Sequence, residues 1–290
     1  MAWPTPPRQI DSPARPAPLW LIPAAAGLLA ILMAGCRLDQ RYVYHPTPWE
    51  PGDWAARSGL PLEEVRFQAA DGTALHGWWL EAPGSRAVLL WSHGNAGNLL
   101  NRLDLLAAWH ARGVSAFIYD YRGYGQSAGR PSEAGLRQDA LAAYEVLRRR
   151  GIPSERIVLY GQSLGASVAG ALAPQRPAAG LLLETPFPSI RAVAAVYYGR
   201  LPVHLLLEAR YELAAALGRV AMPILIVHGD RDSIIPLALG RQVYEAARPP
   251  KAFYLVPGAD HNDLDLVGGE AYFKRLLAFM HQVTADPAGR

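Results

Sequence analysis

The sequence predicts an α/β protein built on a mostly parallel, eight-stranded sheet with helices on both faces. Short apolar runs without polar alternation recur at 87–91, 115–119, 157–160, 180–183, 224–227 and 251–256, the pattern of strands buried on both faces. Helical patterns separate most of them, at 98–112, 133–150, 164–173, 237–247 and 270–283, and this alternation implies right-handed crossovers between parallel strands. Two more runs, 65–68 and 75–80, flank Asp71-Gly72 and read as a hairpin, which completes the eight. Ligands of such sheets bind beyond the carboxyl ends of the strands.

At 290 residues, with 51% hydrophobic and 18% charged, the chain can bury a sizeable core, and one domain over 60–290 accounts for the strand and helix pattern. The net charge of +3 comes from scattered arginines, of which Arg148, Arg149 and Arg150 close a predicted helix where cations favour the dipole. No basic stripe marks a nucleic-acid binder. The single cysteine, Cys36, excludes an internal disulfide, and no Cys/His spacing suggests a metal centre.

The first 36 residues read as a membrane-targeting segment. Arg8 and Arg15 precede an apolar run over 19–34, short for a bilayer span, which ends in Leu32-Met33-Ala34-Gly35-Cys36. Small residues before a cysteine resemble the lipobox of bacterial lipoproteins, which implies lipidation at Cys36 and a place in the cell envelope, facing the periplasm or exterior; a single N-terminal transmembrane anchor is the alternative. Met33 is a less typical residue for its slot. Residues 37–59, with Tyr42, Tyr44, His45, Trp49, Trp54 and three prolines, have no period and read as a spacer lying along the domain. Residues 189–220 exceed a simple crossover and are expected either as a small cap shaping a pocket or as a helix packed on the sheet.

The chemistry centres on residues 157–173, an apolar run ending in Gly161-Gln162-Ser163-Leu164-Gly165 and passing into a small-residue helix. This is the pattern of a nucleophile elbow: Ser163 sits on a strained strand-to-helix turn, and side chains at the flanking glycines would collide with neighbouring backbone. A hydroxyl needs a base, and the base needs an acid to orient it. Of eight histidines, His261 follows the last strand on a loop at the carboxyl end, whereas His228 ends a buried strand and reads as structural. Asp230 and Asp232 both follow the seventh run, and spacing does not choose between them. Asp260 and Asp263 read as loop caps rather than metal ligands. An oxyanion needs backbone N–H donors; Leu164 supplies one, and Asn95, after a Gly94 expected to allow close backbone approach, supplies the second. Asn98 is placed to cap the following helix.

These motifs, His93-Gly94-Asn95, Asp120 to Ser127, Gly161 to Gly165, Glu184-Thr185-Pro186-Phe187, His228 to Asp232 and Gly258 with His261-Asn262, occur in an order that resembles the α/β-hydrolase superfamily, in the branch with membrane-associated acyl-protein thioesterases, monoacylglycerol-type lipases and bacterial hydrolases. The resemblance covers about residues 60–285. It implies Ser163 as nucleophile, Asp232 as acid, His261 as base, the Asn95 and Leu164 amides as oxyanion hole, and Arg122 as a loop anchor. The expected activity is hydrolysis of carboxylic esters, or thioesters, of a small acyl or lipid-like substrate, with no cofactor or metal. A peptidase or amidase using the same residues, and a non-catalytic binding lipoprotein, are the alternatives.

Overall fold

The computed structural model describes residues 38–199, 201 and 203–285. Residues 1–36, expected to target the membrane, and Cys36 among them, lie outside the described residues. Eight strands form one sheet: β1 Leu62–Gln68, β2 Ala74–Leu80, β3 Val88–Ser92, β4 Ser115–Asp120, β5 Ile157–Gln162, β6 Gly180–Glu184, β7 Ile224–Gly229 and β8 Lys251–Val256. Their order is β8-β7-β6-β5-β3-β4-β2-β1; β2 runs antiparallel to both neighbours and every other pairing is parallel. The hairpin expected at Asp71-Gly72 joins β1 to β2, with Gly72 at a φ of 81°.

Strand side chains alternate between two cores. Val88, Leu90, Ile157, Leu159, Leu181 and Ile226 face helices α2 (Glu133–Arg149), α3 (Leu164–Leu172), α5 (Leu213–Leu217) and α6 (Leu237–Ala246). Leu89, Trp91, Val158, Tyr160, Leu182 and Leu225 face α1 (Leu103–His110) and α7 (Leu264–Val283). Because both faces are covered, the central strands carry no exposed position, which is why they read as unbroken apolar runs.

Three details depart from the sequence pattern. The helix expected over 98–112 opens with a 3-10 turn, Leu99–Arg102, before α1. The one expected over 270–283 gains a leading turn from Leu264, set off by Gly269 at φ 49° and ψ −137°. Residues 189–220 hold two α-helices rather than one crossover helix. Helix α4 (Ile190–Tyr198), capped by Ser189, lines a cavity above the strand ends, while α5 packs against α3 and α6, with Leu213 filling the space a side chain at Gly170 would take.

The segment before β1 is built into the domain. His45–Pro46 pairs in parallel with Ala96–Gly97, Trp49 packs edge-on against His76 and Trp78, and Val43 and Tyr44 are buried. Asp39 accepts the Glu208 and Ala209 amides at 3.1 and 2.8 Å, and the Tyr44 and Tyr211 hydroxyls meet at 2.9 Å. The chain thus enters the domain beside residues 208–211.

Candidate active site

Ser163 stands between the end of β5 and the start of α3, at φ 52° and ψ −116°. A non-glycine residue there costs about 1–3 kcal/mol, and close packing on both sides enforces it. A Cβ at Gly161 would lie 2.3 Å from the Gly165 oxygen, and one at Gly165 would lie 2.0 Å from the Ser92 oxygen. No side chain fits at either position. The Ser163 N–H donates to the Glu184 carbonyl at 2.9 Å, tying the turn to β6.

His261 and Asp232 reach this serine from the loops after β8 and β7. His261 Nε2 lies 3.0 Å from Ser163 Oγ, and His261 Nδ1 lies 2.8 Å from Asp232 Oδ2. A carboxylate oxygen only accepts, so Nδ1 carries the proton and Nε2 is left to accept from the serine hydroxyl. Burial raises the Asp232 pKa, but hydrogen bonds from His228 and His261 and from the Ile235 amide outweigh it and hold the group below the ordinary carboxylate range. Its Oδ1 accepts the Ile234 and Ile235 amides at 3.0 and 2.7 Å. Asp230 is exposed and, among the described residues, accepts the Gly258 amide alone, at 2.6 Å, so of the two aspartates Asp232 is the one brought to His261.

The neighbouring acids shape the loop. Asp260 accepts the amides of Ser233 and His261, each at 2.7 Å, and Asp263 accepts the Asp260 amide at 2.6 Å. His228, placed among structural histidines by its position, does more than fill space. Its Nε2 lies 2.8 Å from the Ile235 carbonyl and 3.2 Å from Asp232 Oδ2, so Nε2–H donates from behind the carboxylate.

The second expected amide, that of Asn95, is oriented by a residue whose role the sequence did not disclose. His93, fully buried, lies with Nδ1 2.7 Å from the Gly94 carbonyl oxygen, and its ring packs on Tyr121. In a trans peptide the C=O and N–H point opposite ways, so fixing the Gly94 oxygen also fixes the Asn95 N–H. The Asn95 carbonyl accepts the Tyr124 hydroxyl at 2.7 Å and the His45 amide at 2.9 Å, and its side chain donates to the Val43 carbonyl at 3.0 Å. Close approach at Gly94 is not what the structure shows. A Cβ there would meet nothing nearer than 3.8 Å, and one of the atoms it would meet is the Ser163 Cβ, so the glycine leaves room beside the serine.

Two buried networks brace this edge of the sheet. Arg122 donates to Asp139 and to Asp71, at 2.8 and 2.7 Å, and so anchors its loop to α2 and to the β1–β2 turn. Glu184, at the end of β6, accepts Tyr160 and Gln162 at 2.8 Å each, together with the Tyr272 hydroxyl, and Trp91 Nε1 donates to Gln162 Oε1 at 3.0 Å. Burial pushes the Glu184 pKa up to about 7, against those hydrogen bonds. Gln162 is thereby held on both sides, next to Ser163.

Above the serine lies a cavity of about 680 Å³, lined by Ser163, His261, Asn95 and Leu164 and walled by apolar side chains including Phe187, Ile190, Val193 and Ile235. No carboxylate lines it among the described residues.

Comparison with known proteins agrees with this architecture. Rv2307c, an uncharacterized protein of Mycobacterium tuberculosis, is 39% identical over 246 residues, 83% of this chain and 87% of that protein. The α/β hydrolase domain-containing protein WAV2 of Arabidopsis thaliana is 31% identical over 253 residues, 80% of this chain and 82% of that one. The chain belongs to the α/β-hydrolase superfamily. Within this α/β hydrolase, residues 83–206 match the Hydrolase_4 family, described as serine aminopeptidase, S33. The Pyrococcus furiosus esterase Pf2001 superposes with a TM-score of 0.68 over 84% of this chain and 99% of that one, at 19% identity, a likeness of fold.

Proposed function

We propose that this α/β hydrolase cleaves carboxylic esters, with thioesters as a second class, through an acyl-enzyme on Ser163. His261 Nε2 takes the hydroxyl proton as Ser163 Oγ bonds to the acyl carbon. The Asn95 and Leu164 amides stabilise the oxyanion, and Asp232, ionised, stabilises the imidazolium. His261 then protonates the departing alcohol or thiol oxygen or sulfur. Water, deprotonated by the same nitrogen, attacks the acyl carbon and releases the acid, restoring Ser163. The observation that carries the reading is the hydrogen-bonded chain Ser163–His261–Asp232 at the floor of an apolar cavity.

The same groups would serve a peptidase, as the family description allows. An aminopeptidase needs an anionic partner for the substrate's ammonium group; Asp104, Glu184 and Asp265 line a smaller opening beside Ser163, whereas the larger cavity has an apolar wall with no carboxylate and favours an acyl chain. The N-terminal segment is proposed as a membrane tether, through lipidation at Cys36 or an uncleaved anchor over 19–34. Hydrolysis of chromogenic esters of rising chain length, compared with Ser163→Ala, tests the activity. Turnover should fall by about three or more powers of ten in the variant, and equal turnover in both proteins would refute the nucleophile.

A further inference from the structure

Large apolar side chains exposed among the described residues gather at one end of the sheet. Among the described residues ten large apolar side chains are exposed, and all ten sit on segments around the carboxyl ends of the strands. Six come from one stretch: Val196, Tyr197 and Tyr198 on α4, then Leu201, Leu205 and Leu206, the last three 59–65% exposed. Tyr42 and Ile234 stand at the cavity beside them, and Leu266 and Val267 belong to the first turn of α7, where Leu266 borders a second, smaller opening to Ser163 and His261. Apart from that first turn of α7, the helices covering the two faces of the sheet, and the edge where the parallel strands begin, expose no large apolar side chain among the described residues. Scattered apolar residues are ordinary on a protein surface, but concentration around one cavity mouth marks an interaction surface.

The route of the chain says what covers it. Asp39 is tied to the amides of residues 208 and 209, next to Leu205 and Leu206, and Tyr42 lines the cavity. The apolar run over 19–34 ends five residues before Asp39, a reach of at most about 18 Å when fully extended. A tether in the membrane therefore brings the cap, and no other face, to the bilayer. The mix of leucines and tyrosines suits the boundary between acyl chains and headgroups, and exposed Arg41 and Arg191 flank the patch with positive charge.

We propose that this rim docks on the lipid bilayer, so that the cavity mouth opens at the headgroup–acyl boundary and an acyl ester enters the site from the membrane. The inference rests on the tether reading above and names the source of the substrate. In the bilayer-docked state Leu205 and Leu206 lie among lipid chains while the far edge of the domain stays in water.

The test uses the full chain reconstituted in vesicles of phosphatidylethanolamine and phosphatidylglycerol containing brominated phosphatidylcholine, with tryptophan introduced by Leu206→Trp or, as the control, by Arg149→Trp. Arg149 is exposed at the end of α2 that leads to the start of β5. Quenching above that of the parent protein is expected for Leu206→Trp and absent for Arg149→Trp. Equal quenching at the two positions would overturn the proposal, as would a detergent-free dimer that Leu206→Glu dissociates, which would assign the face to a second copy. Protein that fails to float with the vesicles would refute the tether, and with it this proposal, without touching the chemistry. The double variant Leu205→Glu/Leu206→Glu should cleave a long-chain ester held in the vesicles about tenfold more slowly, while its turnover of a short soluble ester, which reports the proposed chemistry alone, stays unchanged. Unchanged cleavage of the vesicle-held ester would refute entry from the membrane.

Discussion

Replacing Glu184 with glutamine should flatten the dependence of stability on pH. The carboxyl is fully enclosed, and burial lifts its pKa from 4.5 to about 7 in spite of the Tyr272, Gln162 and Tyr160 donors. Between those values the folded protein holds a proton that the unfolded chain has lost. Stability therefore falls as pH rises through this interval, and the loss is complete above the folded value. At about 1.4 kcal/mol for each tenfold change in proton affinity, the loss is about 3 kcal/mol. For a domain of this size each kcal/mol moves the melting midpoint by ~2–4 °C, so Glu184 should account for a drop of roughly 6–12 °C between about pH 4.5 and pH 8. Glutamine keeps the shape, one acceptor oxygen and a donor for a tyrosine oxygen, and it carries no charge at any pH. Thermal melts of both proteins followed by circular dichroism across that range would read the difference directly. The nearby Asp265, whose pKa burial also raises, titrates in both proteins and cancels. Curves that stay parallel from acid to base would refute the reasoning.

Two substitutions probe the site more directly. Asp232→Asn should lower ester turnover by about two to four powers of ten by losing the charge that orients His261, whereas Asp230→Asn, which affects one exposed contact to Gly258, should leave it nearly unchanged; kinetics on purified variants would settle the ranking, and the reverse order would refute the assignment of the acid. Gly165→Ala places a Cβ 2.0 Å from the Ser92 backbone oxygen, and neither partner can rotate away. Urea denaturation should show a loss of about 3 kcal/mol or more, with activity lost as α3 shifts, and a variant matching the parent in stability would show that the contact relaxes without cost.

Much of the fold could be read because burial on both faces removes polar alternation from the central strands and leaves their order visible through the intervening helices. The elbow was legible for a different reason: only glycine fits at positions 161 and 165, so the backbone crowding is written into the residue types. Other parts depend on distant neighbours or peptide orientation, which carry no periodic signal. The Glu184 partner Tyr272 lies 88 residues further on, in α7. The role of His93 follows from which way the Gly94 carbonyl points. The choice between Asp230 and Asp232 turns on loop paths that spacing does not encode, although the family resemblance favoured Asp232. The break at Gly269 hid the first turn of α7 from a helical pattern that starts at residue 270.

The contacts made by residues 39–49 bear on where this protein can be cut. The Val43 carbonyl and the His45 amide both hold Asn95, Thr47 and Pro48 accept from the Asn98 side chain, and Asp39 fastens the chain to the Ala209 amide. A recombinant fragment begun at β1, the natural boundary by sheet topology, would discard the His45–Pro46 pairing and the contacts of residues 39–49 to the loop beside Ser163 while keeping all eight strands of the main sheet. Such a fragment would be expected to fold and to bind its ligand poorly. The minimal working unit therefore starts upstream of the sheet, at residues 39–49.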